Sequence, residues 1–468
     1  MNGEPPKNWI TIQLETLAAN TKYPIGDGDH GQIKPAVYTD KGIPYIRVSD
    51  MGWGRYKPNG LVHIPESVHK LNLKSELHPG DVLIAKTGAT IGKCFIVPDS
   101  MPKANTTSSV GKVTINRELT SPEWILFYFL SREFKSQMWA VSEKTAQPGF
   151  NIYNLKEFLI PLAPLAEQKR IVAKLEKLLN KVEASQKRLA IIPVFLKRFR
   201  QSILAAACSG RLTVDWREEN QNVSNARDQI KEERFILSKA EDSLSELPKT
   251  WAWVSLGNYA RCFRGKFTPR PRNDPRYFHG KHPFIQIGNL PREGGYITSH
   301  IQTLNDEGLA VSRKFSKGTV VIAIVGATIG NTGVLAYDMC VTDSLVGIET
   351  GEPEGNRYVE FFLRYKKQDI RQSSYSSGGQ PNINLEFLNP HPLALPPFPE
   401  QQEIVRRVDA LFHLVDKIEA RYQKAGEQTD KLTQSILAKA FRGELVPQKP
   451  NDEPAEILLE RLRVTKLS

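Results

Sequence analysis

One long segment occurs twice in this chain of 468 residues. Residues 164–212 can be laid on residues 397–445 at a constant offset of 233, without a gap, and 16 of the 49 positions are identical. The identities include Glu167-Gln168 with Glu400-Gln401, and the run from Gln201 to Ala205 with the run from Gln434 to Ala438. Loops tolerate insertions and packed helices do not, so a gapless match of this length predicts one rigid element used twice. The stretches in front correspond only loosely. Pro6 and Trp9 match Pro248 and Trp251 at an offset of 242, Pro44 matches Pro283 at 239, and Gly88 to Gly92 matches Gly326 to Gly330 at 238. The front halves have drifted in length and content; the back halves have not.

Apolar residues in the first copy recur in alternating steps of four and three: Ile171, Leu175, Leu178, Val182, then Leu189 and Leu196 in the same phase. The second copy repeats the phase with Ile404, Val408, Leu411, Val415, Ile418 and Tyr422. A 3.5-residue seam of this kind is the pattern of a two-stranded coiled coil. Each segment is long enough for a helix on the order of 60 Å at 1.5 Å per residue. One such block would suit a helix in any bundle. Two equal blocks in one chain make each the natural partner of the other. Pro193 predicts a kink in the first helix, Gly426 a loose point in the second, and Gly210 and Gly443 stand where C-terminal caps belong.

Residues 1–160 and 246–395 mix short β-rich runs, Gly/Pro turns and one amphipathic helix each, expected near 122–138 and 356–372. The expected fold is therefore α+β: two globules of mixed β-sheet and helices, separated by two long helices forming an antiparallel coiled coil, with an internal pseudo-two-fold repeat. Residues 161–212 form the central helical spacer, 213–245 a linker, 396–445 the C-terminal helical spacer and 446–468 a tail. A chain of this length is too large for a single core, which suits the division.

A net charge of +12 favours a polyanionic partner. The most basic stretch, 261–282, holds Arg261, Arg264, Lys266, Arg270, Arg272, Arg276 and Lys281 against the single acid Asp274, with Phe263, Phe267, Tyr277 and Phe278 interleaved. Arg and Lys fit phosphates and guanine edges, and aromatic rings cover sugars or bases, although many such runs are only solvated loops. The four cysteines, Cys94, Cys208, Cys262 and Cys340, lie far apart with no CxxC pair. That spacing suits neither a metal site nor a disulfide framework, and it fits a reducing cytoplasm. The absence of a signal-like opening and the shortness of the apolar runs point the same way.

Three motif matches carry no chemistry. Gly26, Gly28 and Gly31 fit a dinucleotide fingerprint, but Asp27 and Asp29 would repel a pyrophosphate. Gly88 to Cys94 is one residue short of a phosphate-binding loop and lacks its hydroxyl, so a glycine-dependent turn is expected instead. Leu395-Pro396-Pro397-Phe398 has Leu where an amino-methyltransferase needs Asn or Asp to hold the amine. No catalytic constellation is present.

In combination, residues 161–171, 197–203 and 432–443 resemble the conserved helical regions of type I restriction–modification specificity subunits. Residues 377–384 and 145–151 resemble the loop at the exit of each of that family's target recognition domains, and 452–462 its C-terminal tail. The resemblance implies a non-catalytic subunit whose recognition domains each read one half of a split, asymmetric site in double-stranded DNA. It implies docking of two modification subunits, which hold S-adenosylmethionine and methylate adenine at N6, and recruitment of two restriction subunits that use ATP and Mg. No cofactor is expected in this chain. Candidate DNA contacts are Arg261, Arg264, Lys266, Arg270, Arg272, Arg276, Gln380 and Asn382 in the second globule. Arg47, Lys86, Gln147 and Asn151 are the candidates in the first. The other class of function open to this pattern is a coiled-coil scaffold whose globules bind protein.

Overall fold

In the computed structural model the described residues are 6–31, 33–142, 148–230, 244–374 and 382–465. The chain divides into two compact units: Met1–Ala190 with Gln423–Ser468, and Ile191–Tyr422. Each unit combines one globule with part of the helical segment of each repeat copy.

In unit 1, strands Ile25–Asp27, Val110–Val113, Val82–Ala85 and Cys94–Ile96 form an antiparallel sheet in that spatial order. A second sheet orders Val62–Ile64, Ile43–Ile46, Ala104–Thr106 and Glu76–Leu77, with one parallel pairing, Tyr45 opposite Asn105. Unit 2 repeats the plan. Its five-stranded sheet runs Arg261–Arg264, Leu345–Glu349, Val320–Ala323, Thr332–Leu335, Tyr296–Ile297. Its four-stranded sheet again holds one parallel pairing, Phe284 opposite Cys340. Val82–Ala85 and Val320–Ala323 are unbroken apolar runs because every residue in them is buried. In each unit a two-stranded ribbon joins the entrance to the exit: Ile10–Gln13 with Leu159–Leu162, and Ala252–Ser255 with Pro392–Leu395. The long helix begins just beyond it.

The single helix expected near 122–138 is two, Pro122–Leu130 and Arg132–Ser142, and that near 356–372 is Pro353–Tyr365 followed by Lys367–Ser374. Ser131 stops the first with extended backbone and caps the second by accepting from Phe134 N at 3.2 Å. The first helix of each pair is buried nearly all round and the second on one side only, and apolar residues continue across both breaks, so the sequence does not mark them. Residues 213–230, within the expected linker, contain the helix Val214–Glu219 and a turn at Ala226–Gln229 whose Ala226 belongs to the unit 2 core.

The long helices are Leu165–Ala190, Ile192–Cys208 and Phe398–Phe441. The break at Ile191 stands beside Pro193, which has no N–H to continue the ladder. Gly426 leaves the third helix continuous. Within unit 1, Ile171 and Leu175 share a core with Ile436, Leu437 and Ala440, and Gln186 reaches Asp430 at 3.1 Å. Within unit 2, Leu204 and Ala207 share a core with Ile404 and Val408, and Arg200 meets Asp416 and Glu419 at 2.5 and 3.0 Å. One number rises as the other falls, so the segments pair antiparallel in both units. Each buried Leu or Ile contributes about 1.5–3 kcal/mol, whereas a surface ion pair contributes about 0–1 kcal/mol. The apolar seam holds the helices and the polar pairs only bias their register. The seam is dry close to the globules, at Ile171, Leu175, Val182, Leu196, Ile404, Val408 and Val415. Leu178, Leu189, Leu411 and Tyr422 are half-buried and Ile418 is exposed. Two helices alone cover a narrow stripe, and full burial needs the globule as a third wall.

Where helix meets globule, both units build the same joint. Trp9 Nε1 donates to Glu167 Oε2 at 3.1 Å, and Trp251 Nε1 donates to Glu400 Oε2 at 2.9 Å. Gln168 donates to the Ala163 carbonyl at 2.8 Å and Gln401 to the Pro396 carbonyl at 2.9 Å. Thr120 and Tyr259 each donate a hydroxyl, at 2.7 Å, to the Oε1 of Gln168 and Gln401 respectively. All four Glu and Gln side chains are buried. Beside each joint a glycine closes a helix at positive φ, Gly210 at 74° and Gly443 at 72°. A Cβ there would stand 2.5 Å from Pro248 Cγ or 2.3 Å from Pro6 Cγ, so both the backbone angle and the close approach require glycine.

The two joints differ in charge. Glu400 accepts from Thr213 at 2.7 Å and is paired with Arg217. Glu167 accepts from Trp9 and Gln448 instead, and burial holds its carboxyl above the usual range against those hydrogen bonds. A folded-state value raised in this way means the folded protein binds more protons than the unfolded chain, so unit 1 loses stability as pH rises through that value. At neutral pH, Glu167→Gln should therefore be neutral or stabilising. Glu400→Gln should cost about 2 kcal/mol, because it strips the charge from the Arg217 pair. Urea unfolding of both variants checks this, and an equal loss at the two positions would contradict it.

Candidate nucleic-acid interface

In unit 2 the basic stretch begins on an edge strand. Arg261–Arg264 pairs on one side only, with Leu345–Glu349, and Arg261, Phe263 and Arg264 are exposed. Gly265 lets the chain leave this strand, since a Cβ would sit 2.0 Å from the Thr342 carbonyl oxygen. The following loop is pinned by an acid that lies far away in sequence. Arg270 Nη2 and Arg272 Nη2 both donate to Asp343 Oδ2, at 3.3 and 3.0 Å, and Arg264 Nε donates to the Asp343 carbonyl at 2.8 Å. About half of each side chain of Arg270 and Arg272 stays open to solvent. Arg276 forks onto Asp274, which this contact holds below the usual carboxylate range. Lys266 is exposed, and Lys281 and His282 meet Asp306 at 3.5 and 2.8 Å.

The interleaved aromatics divide by role. Phe267 and Phe278 are buried with Phe284, Leu304 and Cys340 in a small core, so they hold the loop rather than meet a ligand. Phe263 is exposed and Tyr277 half-buried. Arg313, which no local pattern in the sequence marks, lies 5.8 Å over the Phe263 ring and donates to the Arg264 carbonyl at 2.6 Å. The arrangement is a row of half-exposed guanidinium groups, prepositioned by hydrogen bonds, with one open aromatic ring. It is suited to phosphate oxygens and base edges.

In unit 1 the candidates stand apart from one another. Lys86 is buried and its Nζ lies 2.6 Å from Asp27 Oδ2. The neighbouring Asp29 accepts from Ile33 N at 2.8 Å and from the Tyr45 hydroxyl. These contacts explain the two aspartates of the glycine run: both are structural acceptors. Arg47 donates to the Gly60 carbonyl at 2.7 Å and keeps about a third of its side chain exposed. Asn151 caps the helix Ile152–Glu157 by accepting from Asn154 N at 3.0 Å. Gln147 and Gln380 lie outside the described residues. Asn382 is exposed and bridges Val325.

One juxtaposition has no local signal in the sequence. Thr87 bridges Gly149 and Val325 bridges Asn382, so in each unit a described residue near the end of the exit loop lies against the glycine turn. Gly88, Gly92, Gly326 and Gly330 all have positive φ, between 68° and 85°. The turn is thus kept for its backbone, as its sequence suggests. Among the described residues no cluster of His, Cys, Asp and Glu could hold a metal ion, and no helix is long and apolar enough to cross a membrane.

The family model for the type I restriction modification DNA specificity domain matches residues 6–193 and again 248–425. The EcoBI specificity subunit of Escherichia coli is 31% identical across 98% of this chain and 92% of its own length. The EcoKI specificity subunit of the same species is 27% identical across 99% and 97%. A chain from a solved structure of a type I R-M system, concerned with complex assembly and conformational transition, superposes with a TM-score of 0.70 at 20% identity. It covers 95% of this chain and 100% of that one, and shows the same fold.

Replacing Arg270 and Arg272 together by Glu should weaken binding to duplex DNA and flatten its salt dependence. Each lost phosphate contact removes about 0.9 from the slope of log affinity against log salt. Binding titrations between 50 and 200 mM salt, roughly the range over which such contacts are read, test this. An unchanged slope would place the loop in solvent.

Proposed function

This chain belongs to the type I restriction–modification DNA specificity family, and from that premise we propose that it reads a bipartite, asymmetric DNA site for a modification and restriction complex. Each globule reads one half-site. The paired helices dock two modification subunits and set the unread gap between the halves. The chain itself moves no methyl group and cuts no bond. S-adenosylmethionine is held by the modification subunits, and ATP and Mg by two restriction subunits. The alternative scaffold that binds protein alone is not favoured by the family or by the half-exposed guanidinium row.

One observation carries the reading. The two joints are built from matching residues, Trp9 on Glu167 and Trp251 on Glu400, while the surfaces in front of them differ. The basic edge strand and its Asp343-pinned loop belong to unit 2, and the corresponding stretch of unit 1, residues 15–43, has another length and composition. An equal frame with unequal faces is what two different half-sites demand. Direct base readout depends on individual side chains, which matched joints leave free to differ.

Reconstitution with the modification subunit and labelled S-adenosylmethionine tests the proposal. The chain alone should transfer no methyl groups, and the complex should methylate adenines in two short half-sites a fixed distance apart. Adding seven residues between Val182 and Leu189 and seven between Val415 and Tyr422 keeps the 3.5-residue register. It lengthens each helix by roughly 10 Å, equal to about three base pairs at 3.4 Å each. The gap should widen by that amount with both half-sites unchanged. Methyl transfer by the chain alone contradicts the assignment, and an unchanged gap assigns spacing to the modification subunits.

A further inference from the structure

Burial accounts for many of the identities between the two helical copies. Glu167 and Glu400, Ile171 and Ile404, Val182 and Val415, Ile203 and Ile436, Leu204 and Leu437, and Ala207 and Ala440 are all buried. It does not account for Gln201-Ser202 and Gln434-Ser435. Both serines and Gln201 are exposed, and Gln434 is half-buried. No core requires them, and serine is a poorer helix former than alanine.

Each pair lines a cleft that lies wholly within its own unit. In unit 2 the cleft encloses about 480 Å³ and is also lined by Lys197, Arg292, Arg364 and Lys367. In unit 1 the corresponding cleft encloses about 780 Å³ and is lined by Arg132, Lys135, Lys431 and Arg442 beside Gln434 and Ser435. Both open at the break between the two globule helices, next to Arg132 in one case and Lys367 in the other. The likeness therefore extends beyond the helices to the place in the fold. Gln434 Oε1 is buried and has no hydrogen-bond partner among the described residues. A buried acceptor left unmatched is costly, so the cleft favours an occupant that brings a donor.

The two clefts share hydrogen-bonding residues more strictly than charges. Lys197 in one corresponds to Asp430 in the other at the offset of 233. A phosphate backbone passing both clefts would require the same sign at that place. A folded partner read through its own peptide groups would require the same Gln and Ser. Both rims are nonetheless net basic: Arg200 is paired with Asp416 and Glu419 and Arg442 with Glu444, which leaves Lys197, Arg292, Arg364 and Lys367 against Glu293 in unit 2, and Arg132, Lys135 and Lys431 against Glu133 and Asp430 in unit 1.

We propose that the two clefts are matched docking sites for the same acidic, hydrogen-bonding peptide segment of the modification subunit, one copy per unit. The Gln side chain pairs with the peptide group of the segment, the Ser leaves room for its backbone, and the basic rim meets its carboxylates. The inference rests on the reading that this chain assembles with two modification subunits.

Native mass spectrometry and titration calorimetry of the full chain with its modification subunit decide the matter. The unaltered chain should bind two subunits, Ser202→Trp one, Ser435→Trp one, and the double variant none. Gln201→Ala and Gln434→Ala should each weaken one site about tenfold, the size of one lost hydrogen bond to a desolvated group. Two subunits still bound by both Trp variants would overturn the proposal. So would unchanged affinity in the Gln→Ala variants, which decide the question if the Trp variants do not fold. A fall in the isolated chain's DNA affinity with two subunits retained would assign the clefts to DNA and overturn it as well. An unaltered chain that binds no modification subunit would instead defeat the function proposed above.

Discussion

The architecture depends on a buried side-chain oxygen, carried by a glutamate in each unit, that accepts an indole N–H from a residue remote in sequence. Trp9 and Glu167 are 158 positions apart, and Trp251 and Glu400 are 149. A carboxylate out of water costs several kcal/mol unless its lone pairs are met, so helix, ribbon and globule must arrive together for either joint to form. The adjoining Gln168 and Gln401 reinforce this by binding the backbone that leads into their own helices. The direction in which each helix leaves its globule is thereby fixed by hydrogen bonds rather than by packing alone. Packing tolerates small slides; a filled set of donors and acceptors does not.

That rigidity leaves the reading surfaces free to vary. Both units keep a four-stranded sheet with one parallel pairing, a second sheet beside it, and a glycine turn bridged by Gly149 or Asn382. On this base unit 2 carries a guanidinium row anchored on Asp343, and unit 1 turns its own Lys86 inward onto Asp27. Sequence can drift in such loops because their errors do not propagate into the joint. The glycines at 210 and 443 show the opposite regime, in which a single Cβ would collide with Pro248 or Pro6.

Much of this was legible in the chain because periodicity and repetition are local signals. The 3.5-residue seam located the helices, Pro193 marked the break, and Gly210 and Gly443 marked the ends. Contacts that close over long separations were not legible. Nothing near Arg270 and Arg272 indicates that Asp343 will hold them, or that Lys86 will be spent on Asp27. Alternating charge and aromatic residues from 261 to 282 do not reveal that Phe267 and Phe278 point into a core while Phe263 stays open. The breaks at Ser131 and Lys366 were hidden because apolar residues continue across each of them. Fold class is written in patterns of residues, whereas the site is written in distances between them.

The central claim is that one frame carries two independent readers. Exchanging residues 1–160 for the corresponding globule of a relative, with both helices left intact, addresses it most directly. Sequencing of methylated DNA from cells carrying the exchanged chain with its modification subunit should show one new half-site, the other half-site unchanged and the gap preserved. A change in both half-sites would contradict the account, because it would mean that the joint transmits what one globule reads to the other.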